Sequence, residues 1–101
     1  MNAKRQFYRL LEENEDTIRS CGVSRLGLFG SIVREEETKT SDIDILVEFH
    51  TGKKNYDNFI NLCYFLEDSL KRKVDLLTPE GISPIIKQSI EKEIEYVQIP
   101  I

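Results

Sequence analysis

Residues 27–48 read G-L-F-G-S-I-V-R-E-E-E-T-K-T-S-D-I-D-I-L-V-E. Two aspartates, Asp42 and Asp44, interrupt an apolar run that predicts a strand over residues 42–49. Side chains alternate along a strand with a period of two, so both carboxylates should lie on one face of the sheet. Neighbouring like charges repel each other. The pattern therefore indicates a site at which another group neutralises the two charges.

Helical and extended segments alternate along the chain, which predicts an α/β (α+β) fold built of packed layers. Cys21-Gly22 should end the first helix, Asn55 or Asp57 should cap a later one, and Ser83-Pro84 should begin the last. The predicted helices are residues 3–20, a short helix at 31–36, a helix reaching about Leu70, and a helix after Ser83. The predicted strands are residues 24–29, 42–49, 73–77 and a final edge strand at 96–99.

Composition and apolar spacing indicate one small core. The chain of 101 residues is 40% apolar and 32% charged, which is typical of a single soluble domain spanning residues 1–101. The predicted buried faces are Phe7, Leu10, Leu11 and Ile18 in the first helix, Phe59, Leu62, Cys63, Leu66 and Leu70 in the central helix, and Ile85, Ile86, Ile90 and Ile94 in the last helix.

Charge and hydropathy narrow the class of protein. The net charge of −4 argues against a standalone nucleic-acid binder, which usually has a basic surface. We expect a cytoplasmic protein, because no apolar run approaches a membrane span of about 20 residues and the N-terminal segment lacks an apolar signal core. Cys21 and Cys63 have no metal-ligand spacing around them and are predicted to be free, buried thiols. His50 is interpreted as a solvated histidine in a turn.

A third aspartate, Asp75, lies within the apolar strand predicted at residues 73–77. The strand-helix-strand unit that contains it has an apolar crossover helix, and such units are normally parallel. If the two strands are neighbours, the alternation of side chains places Asp75 beside Asp42 and Asp44.

Three converging carboxylates favour a hard divalent cation. Mg²⁺ prefers oxygen ligands and usually combines a few carboxylates with water and substrate phosphates. Two such ions can hold the attacking and leaving oxygens of a displacement at phosphorus. Gly30 lets the backbone approach a phosphate, the predicted helix after it would offer free N–H groups, and Ser31 and Arg34 add further donors. The stretch therefore predicts a site for a nucleoside triphosphate.

Each of these features also has an ordinary structural explanation. A lone D-x-D is common, Gly-Ser is a frequent turn, and Asp75 could end its strand in a salt bridge with Lys71 or Arg72. Their combination, rather than any one of them, favours a metal and nucleotide site.

Gly30-Ser31, ten residues, and then Asp42-Ile43-Asp44 resemble the signature of the nucleotidyltransferases related to DNA polymerase beta. Asp75 in K-V-D-L-L-T-P fits the same pattern, and the small size resembles the minimal nucleotidyltransferase (MNT) branch. The likeness covers roughly residues 24–80. It implies a nucleotidyltransferase fold, a mixed sheet of about four strands flanked by helices. It also implies transfer of a nucleoside monophosphate from a triphosphate to a hydroxyl, with release of pyrophosphate.

The resemblance assigns roles to individual residues. The catalytic residues and ligands of two Mg²⁺ ions would be Asp42, Asp44 and Asp75, and the residues that bind ATP would be Gly30, Ser31 and Arg34. Asp75 would lie near the acceptor and help to take its proton. One departure concerns Glu35, since many relatives have glycine after the arginine. With Glu36 and Glu37 it forms either a repulsive group near the phosphates or a solvated helix end.

Many MNT proteins resemble antitoxins paired with HEPN toxins, and some are thought to adenylylate a tyrosine of the toxin. A chain of this size has no room for an acceptor-binding domain, so we expect a partner, a HEPN protein or a second copy in a homodimer. Two hypotheses follow: an enzyme that transfers AMP to the partner, or a binding module that masks the partner without chemistry. Transfer to a small molecule is disfavoured, because it usually needs a helical substrate domain.

Overall fold

The computed structural model describes residues 2–100. The α-helices are α1 (Ala3–Glu13), α2 (Glu15–Ser20), α3 (Tyr56–Leu70) and α4 (Pro84–Glu91). The strands are β1 (Val23–Phe29), β2 (Ile43–Phe49), β3 (Val74–Leu77) and β4 (Glu95–Gln98). Single turns of 3₁₀ helix occur at Gly30–Ile32 and Pro79–Gly81. Among these residues, no helix has the length and apolar character needed to cross a bilayer.

The four strands form one mixed sheet in the order β3-β2-β1-β4. β2 and β3 are parallel and are joined by α3, because parallel neighbours need a crossover connection. β1 is antiparallel to both of its neighbours, and β4 lies at the edge. The α/β (α+β) fold with a mixed sheet of about four strands is therefore confirmed, as is the parallel strand-helix-strand unit.

The main core lies on one face of the sheet, where α1, α2 and α3 pack. Alternate residues of the central strands face these helices, and Phe7, Ile18, Leu62 and Leu66 are completely buried against them. Asn55 caps α3 by accepting from the N–H of Asn58 at 2.8 Å, as the sequence predicts. The crossover helix is thus fixed at its start and along its apolar stripe.

The opposite face of the sheet is only partly covered. A small cluster of Phe29, Leu46 and Ile90, with Leu77, Ile82, Ile94 and Tyr96 around it, packs there under α4. Ile90 is 6% exposed, but Ile85 and Ile86 are 82% and 53% exposed. The prediction that Ile85 and Ile86 are buried is wrong, because α4 has only eight residues and reaches the sheet with its last turn.

Two predicted helices differ from the observed ones. The helix at residues 3–20 is interrupted at Asn14, whose backbone has φ −130° and whose side chain donates to the carbonyl of Leu10. The prediction of a helix at residues 31–36 is wrong, since only one turn of 3₁₀ helix forms, at Gly30–Ile32. Glu35 follows it with φ 55°, and the N–H of Glu36 donates to the carbonyl of Ser31 at 2.9 Å, which closes the turn as at a helix end.

Smaller predictions can also be compared with the structure. Gly22 has φ 79° directly after α2, and Ser83 caps α4, as expected. Both cysteines are free; Cys21 is buried, whereas Cys63 is half-buried. His50 is half-buried rather than solvated, since its Nε2 lies 3.3 Å from the carbonyl oxygen of Ile99.

Candidate active site

Asp44 and Asp75 lie side by side because β2 and β3 are parallel and in register at these two positions. Neighbouring strands are about 4.8 Å apart, so the two carboxylates leave the sheet from adjacent positions. The residues before and after them in both strands are buried against the helices, so both aspartates lie on the opposite, less covered face. Asp44 is half-buried and Asp75 is exposed.

Asp42 precedes β2 and is exposed, so it belongs to the entry of the strand rather than to the strand itself. Its influence on Asp44 is nevertheless clear. Burial raises the pKa of the Asp44 carboxyl most, and the neighbouring carboxylates of Asp75 and Asp42 raise it further. Arg34 lowers the pKa of Asp44, and Glu93 raises it slightly. Asp42 and Asp75 therefore both lie close enough to Asp44 to raise the pKa of its carboxyl group.

Arg34 lies near this group of carboxylates and lowers the pKa of Asp44, but its ion pairs are with Glu36 and Glu93. Within residues 2–100, none of the salt bridges involves Asp42, Asp44 or Asp75. Lys71 instead lies 3.6 Å from Asp68, and Arg72 donates to the carbonyl of Thr38 at 3.0 Å. The alternative in which Asp75 pairs with Lys71 or Arg72 does not hold in this part of the chain.

The carboxylates fit one particular kind of Mg²⁺ site, in which the protein supplies only part of the ligands. In the described part of the chain, no three His, Cys, Asp or Glu side chains are placed so that they could hold a metal ion alone. Mg²⁺ commonly takes only one or two protein carboxylates and completes its shell with water and substrate phosphates. The paired Asp44 and Asp75 suit such a shared site, which would form together with a nucleotide.

Gly30 lies directly against the Asp44 carboxyl group. Phe29 pairs with Asp44 across β1 and β2, so the chain turns beside that carboxylate as it leaves β1. Gly30 has φ 79°, and a Cβ atom added there would collide with Oδ2 of Asp44. Glycine is therefore required at this turn by the backbone angle and by the approach to the carboxylate. Ser31 follows and is half-exposed.

Glu93, between α4 and β4, binds two of the three groups that were predicted to bind phosphate, the Gly30 N–H and the Arg34 guanidinium. Its Oε1 accepts from the N–H of Gly30 at 3.1 Å, and its Oε2 lies 2.7 Å from Nη1 of Arg34. Arg34 holds the pKa of the Glu93 carboxyl below its usual range, and the Gly30 N–H contributes to the same shift. The sequence reasoning missed Glu93, because the contact joins residues 63 positions apart and no spacing rule connects them.

The acidic residues after Arg34 are also engaged. Oε1 of Glu36 lies 2.6 Å from Nε of Arg34, so two carboxylates share this guanidinium and raise its pKa. Glu35 accepts from Nδ2 of Asn2 at 2.7 Å. The predicted helical N-terminus at Ser31 is absent as well, since the element is a single 3₁₀ turn. Arg34 lies near the site as predicted, but carboxylates of this chain bind it.

The carboxylates lie on an open surface. A cavity of about 350 Å³ lies elsewhere, between α1 and the end of α3, and none of the three aspartates lines it. Asp42 and Asp75 are instead exposed to solvent. A substrate bound on this open surface would therefore keep one of its own sides exposed to solvent.

Comparisons with known proteins show which family and fold this chain resembles. A family model described as a nucleotidyltransferase domain matches residues 8–97. A protein of Methanocaldococcus jannaschii named as a candidate protein adenylyltransferase is 49% identical over 72 residues, 71% of this chain and 76% of that protein. A solved candidate minimal nucleotidyltransferase has a TM-score of 0.72 at 26% identity, over 94% of this chain and 95% of that one. A chain from tri-AMPylated Shewanella oneidensis HEPN toxin in complex with MNT antitoxin shares the fold, with a TM-score of 0.54 at 22% identity, over 84% and 69%.

The contact between Gly30 and Asp44 can be isolated with two glycine substitutions. Gly52 has φ 78° and no heavy atom within 4 Å of an added Cβ, so Gly52→Ala measures the backbone cost alone. We expect about 1–2 kcal/mol for Gly52→Ala and about 2–4 kcal/mol for Gly30→Ala in urea unfolding. Equal costs for the two variants would show that the Asp44 carboxyl does not lie against Gly30.

The repulsion at Asp44 predicts a pH-dependent stability. Because the folded pKa is raised, the stability falls as the pH rises from the unfolded pKa of about 3.9 through the higher folded value. Asp44→Asn removes this loss. In EDTA we expect a gain of about 0.5–1 kcal/mol near pH 7 and little difference near pH 3. Asp68→Asn, at an exposed carboxylate outside the site, should give no gain; a neutral or destabilising effect of Asp44→Asn near pH 7 would contradict the account.

Proposed function

The chain belongs to the nucleotidyltransferase domain family, and on that premise we propose that it transfers AMP from ATP to a tyrosine hydroxyl of a HEPN toxin. The toxin is thereby neutralised, so this chain acts as the antitoxin. In the reaction, the hydroxyl oxygen forms a bond to the α-phosphorus and the bond from that phosphorus to the bridging oxygen breaks. Pyrophosphate leaves with the electron pair, and the hydroxyl proton passes to a base.

One observation carries the proposal: the register that places Asp44 beside Asp75, with Gly30 against the Asp44 carboxyl. Two carboxylates that could bind a metal and a backbone N–H suited to a phosphate oxygen thus lie together at the ends of three strands. This arrangement supports phosphoryl transfer, since the catalysis of that reaction consists mainly of positioning and charge stabilisation.

The carboxylates have distinct positions and therefore distinct roles in the proposal. Asp42 and Asp44 would be ligands of both Mg²⁺ ions, and Asp75 a ligand of one. Bound there, Mg²⁺ would supply positive charge for the phosphates and hold the reacting oxygens in line. Asp75 is the exposed member of the strand pair, so an incoming hydroxyl can reach it and give up its proton there.

The phosphates would bind at the turn that follows β1. Gly30 offers its N–H, Ser31 its hydroxyl and Arg34 its guanidinium, which match the β- and γ-phosphates. Glu93 holds two of these donors in the free protein, so triphosphate binding displaces its carboxylate. Glu35 and Glu36 are already engaged by Asn2 and Arg34, which reduces the repulsion that their charges would exert.

The open surface supports a protein as the acceptor. The carboxylates are exposed on a face that α4 covers only in part, so a partner can bring its own acceptor side chain to Asp75. The similarity to a candidate protein adenylyltransferase and the fold shared with an MNT–HEPN complex support ATP and a HEPN protein in these roles. A second copy of this chain is the alternative partner.

A binding antitoxin without chemistry is the second candidate, and the pairing of Arg34 with Glu36 and Glu93 favours it. The two candidates make opposite predictions for Asp42→Ala/Asp44→Ala. A masking module would still neutralise the toxin with this variant, whereas an enzyme would not.

The transfer reaction can be tested by intact-mass spectrometry. The chain is incubated with ATP, Mg²⁺ and a HEPN protein of the same organism, and we expect the partner to gain an adenylyl group on tyrosine. Asp44→Asn and Asp75→Asn should each slow the gain by about 100-fold or more, because each removes a charge that the transition state needs.

Asp68→Asn is the matched control, since it makes the same chemical change at an exposed carboxylate of α3. It should leave the rate unchanged. The proposal fails if the partner stays unmodified, or if the two site variants transfer AMP as fast as the control variant.

A further inference from the structure

Glu93 uses both of its carboxylate oxygens on groups of the phosphate-binding turn. One oxygen accepts from the backbone N–H of Gly30 at 3.1 Å, and the other pairs with Nη1 of Arg34 at 2.7 Å. A backbone N–H at a glycine turn together with a guanidinium is a usual donor set for a phosphate oxygen. The carboxylate of Glu93 therefore occupies the place of an anionic ligand.

We propose that Glu93 is an internal competitor of the triphosphate, a carboxylate that binds the Gly30 N–H and Arg34 until a nucleotide displaces it. This inference rests on the proposed function, because it concerns the regulation of the same site. It predicts that the protein binds nucleotide more weakly than the same site would bind it without the Glu93 carboxylate.

The contact is of a kind that a ligand can displace. The side chains of Arg34 and Glu93 are 50% and 28% exposed, and ion pairs with this exposure contribute little stability because water competes with them. A contact with this exposure can be exchanged for a phosphate that carries more charge and more acceptor oxygens.

Glu93 lies between an exposed helix and a strand of the sheet, since α4 ends at Glu91 and β4 begins at Glu95. Residues 83–89 are all exposed, and Ile90 is the residue of α4 that enters the cluster on this face of the sheet. The side chain of Glu93 is itself partly exposed, so a change of its rotamer would withdraw the carboxylate from Gly30 without moving β4 or the main core.

Displacement also relieves a like-charge interaction. Glu93 contributes to the negative field at Asp44, together with Asp75 and Asp42. A triphosphate that arrives with Mg²⁺ brings compensating positive charge, which a carboxylate alone does not. Glu93 is therefore a weaker occupant of the site than the nucleotide, and it lowers the apparent affinity without blocking the site.

Calorimetric titration of ATP with Mg²⁺ into Glu93→Ala tests the inference. We expect the dissociation constant to fall about three- to tenfold relative to the unaltered chain, because the competing carboxylate is gone. Glu93→Gln keeps the size of the side chain and an acceptor for Gly30 but loses the charge, so its gain should be smaller. Glu91→Ala removes a charge from an exposed residue of the same segment and should change the constant by less than about twofold.

The outcomes separate this inference from the proposed function. If the unaltered chain binds ATP but Glu93→Ala binds it no better than Glu91→Ala, Glu93 is not a competitor and the nucleotide site stands. If circular dichroism shows that Glu93→Ala is unfolded, an unchanged affinity of Glu93→Gln overturns the inference in the same way. If neither the unaltered chain nor any variant binds ATP, both the proposed function and the inference are wrong.

Discussion

The repulsion between Asp44 and Asp75 is the constraint on which the rest of the site depends. Both strands are held by the packing of α3, and their parallel register leaves these two carboxylates as direct neighbours. The pKa of Asp44 is raised because burial and two nearby carboxylates disfavour its charge. Arg34 offsets this effect only in part, and within residues 2–100 no salt bridge reaches either aspartate.

The turn after β1 extends this arrangement to the phosphates. Gly30 fits against Asp44 only because it has no side chain, and its N–H therefore lies close to the carboxylates that we propose as metal ligands. Glu93 satisfies that N–H in the free protein and connects the site to the loosely packed α4. The proposed metal ligands, the proposed phosphate donors and the competing carboxylate thus meet at one end of β1, β2 and β3, on an exposed surface.

Local patterns in the sequence carried much of this information. The alternation around Asp42 and Asp44, the apolar crossover helix and the caps at Asn55 and Ser83 all correspond to observed elements. Ile85 and Ile86 could not be placed correctly, because helical spacing does not reveal how short the covering helix is or where it meets the sheet. The helix predicted at residues 31–36 is wrong for a related reason. Hydrogen bonds from the N–H groups of residues 35 and 36 close a turn there, although the residue types favour a longer helix. Glu93 depends on a contact across the whole fold, which no local pattern encodes.

The most direct test of the account is whether nucleotide binding needs both Mg²⁺ and the paired carboxylates. ATP can be titrated calorimetrically into the unaltered chain with Mg²⁺, into the same chain with EDTA, and into Asp44→Asn with Mg²⁺. We expect clear binding in the first case and binding weaker by about tenfold or more in the other two, because nucleotide and carboxylates would complete one metal shell together. Equal affinity in EDTA, or in Asp44→Asn, would contradict the account.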